Sequence, residues 1–144
     1  MNTKRISSFI LALVCLFCSF VFVTYAADNN GDEINASGLI YQYDLTAVKK
    51  NSTTLIIYGF TDCDPVVVKC GFKNLKVQRR ANSSSSWSDF YDYGNVYFDS
   101  NYASIGRYLT VDPGYQYRIT CKHYAKKNIL NTQTISNTSN NVTF

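Results

Sequence analysis

From residue 38 onward, apolar and polar residues trade places in short runs. Leu39, Tyr41 and Tyr43 alternate with Ile40, Gln42 and Asp44, and residues 75–79 (LKVQR) repeat the pattern. A period of two places successive side chains on opposite faces of a pleated strand. Residues 53–60 (TTLIIYGF) are rich in β-branched and aromatic side chains, and residues 87–91, 104–111 and 115–124 add three further runs of strand composition. Residues 129–144 form a Thr/Ser/Asn-rich stretch carrying Ile135, Val142 and Phe144. Turn chemistry separates the runs: Lys49-Lys50-Asn51-Ser52, residues 81–86 (ANSSSS), residues 92–95 (DYGN) and Asp112-Pro113-Gly114. No segment after residue 26 sustains a helical period. About seven short strands predict an all-β, antiparallel β-sandwich in one domain over residues 38–144. The serine-rich 81–86 segment is a turn within it, not a linker.

The N-terminus is patterned differently. Lys4 and Arg5 precede an apolar stretch over residues 9–23, and Thr24-Tyr25-Ala26 offers a small residue immediately before a cut ahead of Ala27. That is the three-part layout of a secretory signal peptide over residues 1–26. The stretch is 15 residues long, whereas a membrane-spanning helix needs about 20. Cleavage is therefore expected rather than anchoring, leaving no integral span and a secreted or cell-surface location. Cys15 and Cys18 follow Val14 and Phe17, which do not suit a lipid-attachment box. Residues 27–37 read as a polar leader. Asp28, Asn30 and Asp32 superficially suggest a calcium loop, but no glutamate closes it.

Export changes the charge and the cysteine count. The chain has 14 Lys+Arg against 10 Asp+Glu; loss of Lys4 and Arg5 leaves 12 against 10, or +2. So small a balance does not argue for nucleic acid. Cys63, Cys70 and Cys121 remain. An oxidising compartment favours a disulfide, and three is an odd number. With one histidine, the spacings fit no zinc site, and no cofactor is implied.

The most specific segment is Val111-Asp112-Pro113-Gly114-Tyr115-Gln116-Tyr117. It resembles the corner entering the sixth strand of fibronectin type III domains. In such tyrosine corners the hydroxyl bonds backbone a few residues upstream. Residues 75–80, the polar turn and Trp87 resemble the third strand and hairpin of the same fold, although the tryptophan usual on the second strand is missing. The resemblance implies an immunoglobulin/fibronectin-III-like sandwich. The whole layout is also similar to small secreted β-domains of unknown function from Gram-positive bacteria, a family that implies no activity. In that topology the three cysteines gather at one pole, and Cys63–Cys121 is the bridge expected to tie the two sheets. Cys63–Cys70 is the alternative.

Catalytic chemistry is thinly supplied. His123 is the one candidate base and is expected to be structural or exposed. Asp62 and Asp64 precede Pro65 and suit a turn better than a carboxylate pair, and Glu33 lies in the leader. A non-enzymatic protein is expected. The aromatic density of residues 87–102 is the better hint. Trp87 and Phe90 are expected in the core, leaving Tyr91, Tyr93 and Tyr97 as candidate binding residues for an extracellular protein or glycan. Lys122, Lys126 and Lys127 form a basic cluster suited to anionic wall polymers or membrane lipids, with solvated loop charge as the default. A secreted binding protein is the first reading. A small secreted toxin or antimicrobial effector is the alternative.

Overall fold

The computed structural model describes residues 38–144. The signal and leader segments read from the sequence lie outside the described residues. Eight strands follow in order: β1 (Ile40–Asn51), β2 (Thr54–Cys63), β3 (Lys69–Arg80), β4 (Ser88–Phe98), β5 (Tyr102–Thr110), β6 (Gln116–Asn128), β7 (Asn131–Thr138) and the two-residue β8 (Val142–Thr143). They form two antiparallel sheets, one ordered β1-β2-β5 and the other β4-β3-β6-β7, with β8 also pairing to β6. The all-β sandwich expected from the alternation is thus the observed architecture. Its fourth strand stays beside the third, so the second sheet is the wider.

Alternation makes the core. On the narrow sheet, Leu45, Ala47, Leu55, Ile57, Ala103 and Ile105 point inward. Facing them are Phe72, Leu75, Val77, Tyr117, Ile119 and Ala125 from the wide sheet. Fully burying side chains of this size contributes roughly 1.5–3 kcal/mol each. The free flank of β1 is handled by side chains. Asn140 accepts from the Ala47 amide at 3.0 Å and donates to its carbonyl at 2.9 Å, and Gln133 accepts from the Ile40 amide at 3.0 Å. These bonds occupy edge groups that would otherwise invite another chain.

The 92–95 segment corrects one expectation. It does not reverse the chain but lies inside β4. Its turn chemistry is absorbed as strand irregularity, with register shifts against β3 on either side of Leu75. Gly94 takes a positive φ of 69°, Asp92 accepts its amide at 2.7 Å, and Asn95 accepts the amide of Asn74 at 2.9 Å. Turn residues therefore build bulges here, which bend and twist a strand without ending it.

The tyrosine corner is present as the resemblance implied. Tyr117 is fully buried; its hydroxyl donates to the Asp112 carbonyl and accepts from the Asp112 amide, both at 3.0 Å. Arg79 closes the corner from above, pairing with Asp112 at 2.7 Å and lying over the Phe90 and Tyr115 rings. Removing the hydroxyl leaves both backbone groups of Asp112 unpartnered. Tyr117→Phe is expected to lower unfolding free energy by about 1–3 kcal/mol, read from the urea midpoint at unchanged slope. A midpoint equal to wild type would show that the corner does not stabilise the fold.

Candidate functional site

His123 sits at the centre of the sandwich with no exposed surface. Its Nδ1 lies 2.8 Å from the Thr61 hydroxyl of the facing sheet, and its Nε2 lies 3.3 Å from the Asn137 amide nitrogen on β7. An amide nitrogen can only donate, so Nε2 accepts and Nδ1 carries the proton toward Thr61. The Thr61 hydroxyl then donates to the Gly71 carbonyl at 3.4 Å. Tyr43 and Phe72 pack on the ring at centroid distances of 4.8 and 5.5 Å. Burial pushes the imidazole pKa down to about 4. This is a neutral core histidine joining two sheets, with its Thr61 partner as buried as itself.

The cysteines correct a second expectation. Cys63, Cys70 and Cys121 are all buried free thiols, and the Cys63–Cys121 bridge is not made. Thr61 faces His123 across the interior, so Cys63, two residues farther along β2, is level with residue 125. Cys121 stands two residues behind His123. The offset of four residues corresponds to roughly 13 Å along a strand, beyond the reach of a disulfide. The neighbour of the Cys63 thiol is Cys70, at the start of β3 in the other sheet. Burial pushes the thiols of Cys63 and Cys121 up to about 12, and that of Cys70 upward as well.

The three tyrosines singled out by sequence do not share one surface. Tyr91 and Tyr93 pack on each other in a tilted arrangement at 4.6 Å, with Tyr93 partly packed on the core. Tyr97 lies on the outer face of the wide sheet, against Tyr124 at 5.0 Å. Both pair with Gly71, which lies between them. Gly71 has φ 149°, and a Cβ there would collide with the Val96 carbonyl, so no side chain separates the two rings. Phe90 packs against the core as expected. Trp87 does not; it lies half-buried on the outside, under Arg80 and Arg118 at 4.4 and 4.3 Å.

A larger aromatic surface occupies the outer face of the β1-β2-β5 sheet. Val48, Ile56 and Tyr108 form one cross-strand row. The next rows place Tyr58 between Thr46 and Gly106, and Phe60 between Asp44 and Ser104. Tyr102 ends the face beside Asp62. Gly106 leaves room for the Tyr58 ring, which lies 3.8 Å from where a Cβ would stand, so the ring rests against the sheet. Tyr58 is 46% exposed and Tyr108 64%. Lys50 lies over the Tyr108 ring at 4.6 Å.

The face is not a cluster in the sequence, because its aromatics come from two strands, β2 and β5, far apart in the chain. One signal was available. Residues 55–60 (LIIYGF) are apolar or glycine throughout, while a strand covered on one face alternates. The second apolar set, Ile56, Tyr58 and Phe60, is the uncovered one.

Two outcomes are expected. Stability should fall as pH drops from about 6.5 toward 4, because the unfolded chain binds a proton at His123 that the folded one refuses. The loss reaches about 3 kcal/mol, and His123→Gln should flatten this limb in urea titrations across pH; an unchanged limb would place the titrating group elsewhere. The reduced native protein should resist iodoacetamide at pH 8 until denatured, since so little thiolate exists. Unreduced peptide mapping should yield no Cys63–Cys121 linkage; finding one would overturn the strand placement. Comparison with family models, with curated proteins and with solved structures finds no match to this chain.

Proposed function

We propose that this is a secreted, non-enzymatic fibronectin-III-like β-sandwich that binds an extracellular protein or glycan through the outer face of its β1-β2-β5 sheet. The signal-like residues 1–26 support export, and the Tyr117 corner with the Arg79 closure supports the fold relationship. The observation that carries the binding reading is the solvent-facing row of Val48, Ile56 and Tyr108, continued by Tyr58, Phe60 and Tyr102. A central strand apolar on both faces buries only its inner set and leaves the outer set in contact with water. Water contact there is a standing cost, and a contiguous aromatic face rimmed by Asp44, Lys50 and Asp62 has the composition of a contact surface. Tyrosine supplies large contact area at low entropy cost.

The site's chemistry is recognition rather than turnover. His123 is sealed inside the core and held neutral, so the one imidazole is not available to a substrate.

Binding of purified protein to intact cells or cell-wall fractions tests the reading. Tyr58→Ala with Tyr108→Ala is expected to lower binding at least about tenfold while the protein keeps its native far-UV spectrum and a cooperative unfolding transition. Protease-sensitive binding assigns the partner as protein, and periodate-sensitive binding assigns it as glycan. Equal binding by the variant and wild type would remove this face from the function.

A further inference from the structure

The β6–β7 hairpin ends in Ile129 and Leu130, which are 85% and 94% exposed. A two-residue hairpin turn ordinarily carries Asn, Asp or Gly because its backbone needs positive φ. Neither residue here has positive φ. The local requirement is met by Asn128, whose side-chain oxygen accepts the amides of Leu130 and Asn131, both at 3.0 Å. The two tip positions are therefore free of turn duty, and nothing in the fold calls for aliphatic side chains there. Two branched chains held fully in water at a protruding end are an outward-facing feature.

The neighbouring loop between β2 and β3 adds to the same end of the molecule. Val66 and Val68 are 47% and 58% exposed. The Val68 amide donates to the Lys126 carbonyl at 2.9 Å, tying this loop to the base of the hairpin. Val66 and Lys127 line a common cleft of about 460 Å³. Behind the aliphatic tip stand Lys126 and Lys127, with Lys69 paired to Lys126 across the strands and Lys73 paired to Lys122 two rows back. The acidic groups at this end are Asp62, Asp64 and Asp99, with Asp44 level with the Lys73–Lys122 row. Asp99 is engaged by Lys69 at 3.0 Å, and Asp64 accepts from the Tyr41 hydroxyl and the Val66 amide. Five lysines thus face four aspartates; Lys69 is paired with Asp99, and Lys126 and Lys127 are the cations nearest the tip.

From this arrangement we propose that the Ile129–Leu130 tip, with Val66 and Val68 beside it, docks into an anionic lipid surface. The spacing fits a bilayer interface. The lysines at 126 and 127 lie two to four residues behind the tip, roughly 7–13 Å along a strand. Apolar groups of peripheral elements enter about 5–10 Å below the headgroups, so the tip reaches the acyl boundary while the ammonium groups stay among the phosphates. The feature is a convex point, not a groove, and its charge ring complements an anionic surface. This contact is separate from the aromatic sheet face and does not rest on it.

Protein secreted from the full chain is to be co-sedimented with phosphatidylcholine vesicles made with and without phosphatidylglycerol. Wild type is expected to bind the anionic vesicles and to weaken as salt rises. Ile129→Asp with Leu130→Asp should lower binding at least about tenfold, with an unchanged melting temperature because both positions lie in solvent. Lys126→Glu or Lys127→Glu should each weaken binding about fivefold or more. Ile129→Trp should give a blue-shifted emission that brominated lipid quenches. Tyr58→Ala with Tyr108→Ala should leave vesicle binding unchanged, so that failure of the aromatic-face reading and failure of this one are separable. The proposal is overturned if wild type does not sediment with anionic vesicles. It is equally overturned if the double aspartate variant binds as wild type does, which would indicate charge adsorption without insertion.

Discussion

Two sheets can slide on each other unless something specific crosses the gap; in this protein the fully buried crossing is the bond between Thr61 and His123, and Gln133 and Asn140 add crossings to β1 at the rim. Apolar packing around it is dense but non-directional. A buried imidazole left without partners would cost more than the bond itself contributes. The sheets are therefore held where Thr61, His123 and Asn137 meet, with Thr61 also reaching the Gly71 carbonyl. Moving β2 by one residue would turn Thr61 away from the interior and strand the histidine. Tyr117 plays the corresponding part nearer the other end, tying β6 to the chain that delivers it.

That constraint sets where everything else falls. With Thr61 opposite His123, Cys63 comes beside Cys70 and leaves Cys121 behind. Leu55, Ile57 and Gly59 are committed to the interior, and Ile56, Tyr58 and Phe60 to the outside. The fourth strand stays with the third, so β1-β2-β5 is narrow and its outer surface is formed by strands chosen for packing rather than for solvent. The exposed aromatic face is thus a direct result of a central strand that is apolar on both sides. The hairpin tip has a different origin: β6 is the longest strand, and its excess length with β7 projects Ile129 and Leu130 away from the core.

Much of the fold was legible in the sequence. Period-two alternation placed the strands, and the Pro-Gly entry with Tyr117 located the corner to the residue. The 92–95 segment misled because Asp, Gly and Asn serve bulges as well as reversals; both need a left-handed residue and a side chain that caps a free amide. Trp87 misled because a large ring was assigned to the core, while Arg80 and Arg118 offered it a sheltered place outside. The candidate tyrosines were sequence neighbours, yet the irregular register of β4 separates Tyr91 and Tyr93 from Tyr97.

By itself the sequence determined the class of structure, its number of long strands and the polarity of each strand's two faces, because these depend on side-chain period and local turn chemistry. Only the tertiary structure decided which outer face remains uncovered, which cysteines become neighbours and which apolar pair is left at a tip. Those properties depend on sheet partition and inter-sheet register, which are set by contacts between residues far apart in the chain, such as Thr61 with His123, that no local pattern encodes.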